Sequence, residues 1–144
     1  MTSIHRSALL PFSSAQIYNL VNDVAAYPQY MDGCVGAEVI EVSERHMEAR
    51  LDLARGGISQ SFTTLNALEP NERIILTLKD GPFDHFEGAW RFQALTDEAC
   101  KVILDLEFAI RGGLLSMAAS GLLERVTGNL VDSVVRRANE VYGA

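Results

Sequence analysis

The chain has 144 residues, of which 48% are hydrophobic and 22% charged. That length suits one domain able to bury about two-thirds of its unfolded surface without a metal or disulfide staple, and the composition excludes disorder, collagen-like repeats and low complexity as descriptions of the whole. With 12 Lys and Arg against 19 Asp and Glu the net charge is -7, so long-range repulsion works against phosphate backbones and DNA is not an expected partner.

The first predicted element is a strand over Ser3–Leu10, ended by Pro11. Ser13 or Ser14 then offers an N-cap oxygen ahead of Ile17, Leu20, Val21 and Val24, whose spacing follows one helical face. A second short helix restarts at Asn22-Asp23 and must end near Tyr27, because Pro28 disfavours helical geometry in the residue before it. Tyr27 to Gly33 reads as an aromatic-rich turn.

From Val35 the period becomes two. Met47, Ala49, Leu51 and Leu53 alternate with Glu48, Arg50 and Asp52, the pattern of a half-buried antiparallel strand. Gly56-Gly57 is a hairpin pair that accepts positive φ, Ile58–Leu68 is the return strand, and Pro70-Asn71 turns the chain again. Ile74, Leu76 and Leu78 share one face of the next strand, with Asp80-Gly81 as a further hairpin signal. Phe86, Gly88, Trp90, Phe92 and Ala94 follow on one face. After Thr96-Asp97-Glu98, the residues Cys100, Val102, Leu104, Leu106, Phe108 and Ile110 form the last inward face. Arg111-Gly112-Gly113 closes the sheet, and one long helix is expected from Leu114 to Tyr142, about 43 Å at 1.5 Å per residue. The arc holding Val126, Leu130, Val131, Val134, Val135, Ala138, Val141 and Tyr142 is its apolar side.

This order predicts an α+β domain spanning residues 1–144: a seven-stranded antiparallel sheet curled around a long C-terminal helix, with two short helices after the first strand. Gly88 in mid-strand is the candidate kink for the curl. Cys34 and Cys100 are too few for a disulfide framework or zinc module and read as small buried hydrophobes in a reducing compartment. No apolar signal core opens the chain, and the apolar run Leu114–Leu123 stops at Glu124-Arg125, so a cytoplasmic location is expected.

Catalytic patterns are absent from the sequence. His5, His46 and His85 lie in separate segments without a ligand partner at i+4, so no metal is expected. No nucleophile elbow appears, and Gly56-Gly57 and Gly112-Gly113 lack a phosphate-loop context. Glu48, Asp52, Asp105 and Glu107 alternate outward, where cross-strand pairs with Arg50, Arg91 and Lys101 account for them. An enzyme is not expected, and no cofactor is required.

A sheet-and-helix cup with an apolar wall is the usual build of a pocket for a hydrophobic small molecule. Its expected lining is Tyr27 and Tyr30 at the entrance turn; Phe62 and Thr64; Leu76 and Leu78; Phe86, Trp90 and Phe92; Leu104, Leu106 and Phe108. From the helix come Ala119, Leu122, Leu123 and Val126.

Several motifs in order carry a resemblance. Ser14-Ala15-Gln16-Ile17-Tyr18-Asn19-Leu20-Val21-Asn22-Asp23-Val24 leads into Tyr27-Pro28-Gln29-Tyr30. Ser61-Phe62-Thr63-Thr64, Asp80-Gly81-Pro82-Phe83, Gly88-Ala89-Trp90-Arg91-Phe92 and Leu106-Glu107-Phe108 follow, and Val131 through Ala138 with Val141-Tyr142-Gly143 close the chain. Over nearly its whole length the chain resembles the coenzyme Q-binding START-like family. The resemblance implies a helix-grip fold of the Bet v 1/START type and two functions. The first is non-catalytic binding of ubiquinone or a related prenyl lipid in support of respiration, with transient contact at a membrane surface. The second, in bacterial members described as ribosome association toxins, is binding to the large ribosomal subunit and inhibition of translation. A cyclase or dehydratase activity, as in a more distant branch, ranks third. The family commonly has Pro-Trp before the cysteine matching Cys34, where this chain has Asp32-Gly33. Arg125, Arg136 and Arg137 are the basic cluster available for rRNA, and their plainer reading is a solvated helix face.

Overall fold

The computed structural model describes residues 2–112 and 116–143, with the side chains of 116–119 left out of that description. β1 (Thr2–Leu10) leads to α1 (Ser14–Asn22), whose cap is Ser13. The Gln16 amide donates to Ser13 Oγ at 3.1 Å, and the Ser13 amide donates to Gln16 Oε1 at 2.9 Å. This reciprocal box satisfies two backbone donors that the helix start would otherwise leave open. The second short helix is a 3₁₀ turn, Val24–Gln29, and runs through Pro28 rather than stopping before it. Its tighter i to i+3 bonding tolerates a proline that an α-helix interior would not.

Six further strands follow: β2 (Cys34–Val42), β3 (His46–Arg55), β4 (Ile58–Glu69), β5 (Arg73–Asp80), β6 (Phe83–Thr96) and β7 (Ala99–Ile110). All pair antiparallel in the order β1-β7-β6-β5-β4-β3-β2, so the expected seven-stranded sheet is present, with β1 and β2 at its edges. Gly56 and Gly57 take φ of +58° and +82° in the tight β3–β4 turn, the conformation that selects glycine there. On β7 the inward residues Cys100, Val102, Leu104 and Phe108 are fully buried. Each of the larger ones contributes roughly 2 kcal/mol through burial.

Gly88 is not the site of a bulge. Pairing through it is regular, Leu76 to Gly88 on one side and Gly88 to Leu106 on the other. A Cβ there would lie 2.2 Å from Leu106 Cδ2 and 2.9 Å from the Asp105 carbonyl, so the glycine makes room for a neighbouring leucine. Register shifts between Cys34 and Gly36, Val39 and Glu41, Thr63 and Thr64, Phe83 and His85, and Ala94 and Thr96 are the bending points. The hairpin expected at Asp80-Gly81 is open, since β5 and β6 pair from Arg73↔Arg91 only as far as Thr77↔Glu87. An aromatic cluster gathers beside that parting: Phe83 meets Phe62 at 5.5 Å, Phe86 at 5.1 Å and Phe108 at 6.2 Å.

The single long helix is two, α2 (Ser116–Gly128) and α3 (Leu130–Tyr142); the expected start at Leu114, with Gly113 before it, lies outside the described residues. The break has a local cause. Thr127 Oγ1 donates back to the Leu123 carbonyl at 2.6 Å, Gly128 follows, and the Asn129 amide bonds the Val126 carbonyl at 3.2 Å in a tightened turn. A back-bonding hydroxyl beside a glycine bends helices. At about 20 Å each, the halves take separate jobs. α2 covers β1, β3, β4 and β7, whereas α3 packs on β1, β7 and α1.

The outer face carries ion pairs, of which the cross-strand pair of Arg91 with Asp105 is as expected and the others are not. Arg50 pairs with Asp52 on its own strand at 3.1 Å, Lys79 takes Glu48 at 2.7 Å, and Arg91 reaches Asp105 at 2.9 Å. Lys101 forms no ion pair among the described residues.

Candidate functional site

The concave face of the sheet and the helices enclose a cavity. Its floor is Ala49, Leu51 and Leu53 of β3; Phe62, Thr64 and Asn66 of β4; Leu76 of β5; Phe86 and Trp90 of β6; and Leu104 and Leu106 of β7. Val24, Tyr27, Met31 and Cys34 form one side, and Val126, Thr127 and Leu130 the roof. No charged side chain is among these residues. The volume open to the centre of a water molecule is about 70 Å³. One water needs about 10–15 Å³ on this measure, so the closed cavity holds a few water-sized groups.

Of the expected lining, Tyr27, Phe62, Thr64, Leu76, Phe86, Trp90, Leu104, Leu106 and Val126 are on the wall. Tyr30, Leu78, Phe92, Phe108, Leu122 and Leu123 are off it, and the Ala119 side chain lies outside the described residues. Phe92 is occupied elsewhere, stacked on Trp90 at 6.5 Å and met edge-on by Tyr18 at 5.6 Å. Phe108 belongs to the Phe83 cluster. Leu78 lies on β5 beyond the point where β6 leaves it. Leu122 and Leu123 are core residues of α2.

Sequence reasoning missed Val24, Met31, Cys34, Asn66, Thr127 and Leu130, and did not assign Ala49, Leu51 and Leu53 to the wall. For the β3 residues the signal was their own alternation. For Asn66 it was strand phase, since Phe62, Thr64, Asn66 and Leu68 recur at every second position and all four are buried.

The polar groups of the wall are largely committed. Tyr27 OH donates to the Val21 carbonyl, and full burial pushes its pKa well up. Burial also raises the Cys34 thiol, whose Sγ donates to the Gly36 carbonyl at 3.4 Å. Thr64 Oγ1 donates to Asn66 Oδ1 at 2.8 Å. A thiol held protonated is a poor nucleophile, and no histidine or carboxylate faces it from the wall.

The rim is built by long-range contacts to the turn after the 3₁₀ helix. Arg136 donates to the Tyr30 carbonyl at 2.8 Å, and Arg137 donates to Gln29 Oε1 at 3.1 Å with its guanidinium 5.2 Å from the Tyr30 ring centroid. These two arginines clamp the entrance turn to α3 while Arg136 stays exposed and Arg137 half-buried. Burial raises the Tyr30 hydroxyl despite the cation beside it. Gly33 explains the departure at the preceding pair: its φ is +88°, and a Cβ would lie 2.6 Å from Val126 Cγ2, so no larger residue fits this backbone. Asp32 turns outward to Arg55 at 3.2 Å.

On the opposite face, His85, Glu87 and Glu107 bring ligand-capable atoms within 4.8 Å of one another. Sequence inspection overlooked this group because Glu107 arrives from the neighbouring strand, opposite Glu87. The sheet separates it from the cavity. Among the described residues, no helix is long and apolar enough to cross a membrane.

Comparison with known proteins adds four findings. The ribosome association toxin RatA of Vibrio cholerae is 45% identical over 143 residues, covering 99% of each chain. The mitochondrial coenzyme Q-binding protein COQ10 homolog B of Xenopus laevis is 24% identical, covering 95% of this chain and 58% of that one. The crystal structure of the Zhui aromatase/cyclase from Streptomyces sp. R1128 superposes with a TM-score of 0.83 at 17% identity, over 96% of this chain and 94% of that one, which establishes the shared helix-grip fold. Residues 10–135 match the family described as polyketide cyclase / dehydrase and lipid transport, and the chain belongs to that family.

Proposed function

We propose that the protein is a ribosome-associated regulator of translation of the RatA type. The observation that carries this reading is the 45% identity to a ribosome association toxin across 99% of both chains. It reverses the order of the two expectations, because the coenzyme Q likeness comes from a relative at 24% identity. The function places the protein in the cytoplasm. Its surface bears on how it meets the ribosome: the net charge is -7, and Arg136 and Arg137 each also hold a contact to the entrance turn. Anions outnumber cations over the whole chain, so association is expected to depend only weakly on salt. Co-sedimentation with large ribosomal subunits between 50 and 200 mM salt, on the order of the range over which phosphate-dominated binding collapses, is the test. Absence of the protein from the subunit fraction overturns the reading.

A second reading concerns the cavity, which supports binding of a small apolar molecule without catalysis. Its carrying observation is a wall free of charged side chains, lacking the ionisable pair that acid–base work requires. Ubiquinone or another prenyl lipid is a ligand of this kind. Native mass spectrometry of the protein from its own host, with organic extraction of any bound mass, tests it; a chain that is empty and takes up no added lipid refutes it.

A further inference from the structure

Within the cavity-binding reading, on which this inference rests, we propose that Asn66 is the ligand's polar anchor and that the ligand is an uncharged molecule presenting an oxygen acceptor, such as a ketone, quinone or ester carbonyl, on an apolar body. Asn66 is 6% exposed and lies on the wall. Across the sheet it stands opposite Met47 on β3 and Leu76 on β5, neither of which offers it a strong acceptor. Thr64, two residues away on the same face, donates to Asn66 Oδ1 at 2.8 Å. In that arrangement Oδ1 is satisfied and Nδ2 keeps its two N–H groups.

Nδ2 has no acceptor among the described residues. Nδ2 is not among the sealed atoms without partners, which are Asn22 Oδ1 and Tyr30 OH, and Asn66 lies on the cavity wall as well as beside an outer groove next to Met47. Elimination strengthens the assignment. Thr64, Thr127, Tyr27 and Cys34 each donate to a partner within the protein. The Trp90 indole N–H is the other wall donor without an acceptor among the described residues, and it too is neutral. A buried donor with no partner is unfavourable, and an oxygen of the ligand relieves it. A carboxylate would have to shed its water with no cation on the wall to meet it. The wall therefore discriminates between a carbonyl and a carboxylate on the same apolar body.

Acetophenone, ethylbenzene and benzoate share a ring and differ in that one respect, and nitrogen-15 spectra of the full chain can follow each. Acetophenone is expected to move the Asn66 side-chain NH2 resonances, and Asn66→Leu to weaken its binding by about three- to tenfold, the size of one neutral hydrogen bond. Ethylbenzene should bind both proteins alike, which also reports that the variant is folded. Equal acetophenone affinity in wild type and variant overturns the anchor, and benzoate binding as tightly as acetophenone overturns the uncharged head group. If acetophenone and ethylbenzene both stay out, the cavity reading fails with it. The resonance shift needs no variant and stands even if Asn66→Leu does not fold.

Discussion

The rim glycine offers a sharp energetic test of how the cavity is closed. In Gly33→Ala the new methyl group faces two penalties that arise separately. The backbone sits at φ +88°, where an L-residue costs about 1–2 kcal/mol. The added Cβ would also lie 2.6 Å from Val126 Cγ2, so the turn and α2 must move apart, an overpacking cost of about 1–3 kcal/mol. The expected destabilisation is about 2–5 kcal/mol, a large share of the roughly 5–15 kcal/mol that holds a domain of this kind. Val126→Ala alone should cost about 2 kcal/mol for the lost methyl groups. The double variant relieves the clash but keeps the backbone strain, so its cost should fall short of the sum by about 1–2 kcal/mol. Urea unfolding followed by the fluorescence of Trp90, the one tryptophan, measures all four proteins. Additive costs, or a Gly33→Ala chain within about 0.5 kcal/mol of wild type, would refute the claimed contact between rim and roof.

Three other outcomes are expected. Phe108→Ala removes a fully buried ring from the Phe83 cluster and should cost about 3–5 kcal/mol in the same assay, with a surface-like loss counting against the placement. Hydrogen bonds from His5 and Arg91 hold Asp105 below the usual carboxylate range. A depressed carboxyl contributes stability that is complete above its unfolded value and disappears as pH falls through the folded one, so Asp105→Asn should flatten the acid limb of a stability–pH curve. Burial raises both Cys34 and Cys100, so a thiol reagent should modify them only as fast as the chain opens; rapid modification of folded protein would contradict that burial.

Most of the architecture was legible because two periodicities and a few turn residues dictate it. The alternation from Met47 to Leu53 and from Cys100 to Ile110 sets which face of the sheet is inward, and Gly56, Gly57 and Asn71 adopt the positive φ angles that their turns demand. What escaped was geometry that depends on a neighbour. Gly88 reads as a kink in one dimension, but across strands it is the space that Leu106 occupies. The helix break was written in Thr127-Gly128-Asn129, yet an apolar arc that continues on both sides of these residues conceals it from a periodicity argument.

The site was less legible for a related reason. Phase places Phe62, Thr64, Asn66 and Leu68 on one face, and equally Phe86, Trp90 and Phe92, but it cannot say which of them packs and which faces a void. That depends on local competition for space: Tyr18 and Trp90 together enclose Phe92, whereas Trp90 itself keeps an edge on the cavity. The arginines show the same limit in charge. On a helical wheel Arg136 and Arg137 lie near a C-terminus and suit solvent, but α3 runs past the turn at Pro28 to Tyr30, and a backbone carbonyl and an aromatic ring there take them up. A net charge of -7 works against gripping RNA phosphates. A ribosome contact made by this fold therefore has to draw on shape and on basic protein surface, and a shallow salt dependence is the observable by which such a contact would be recognised.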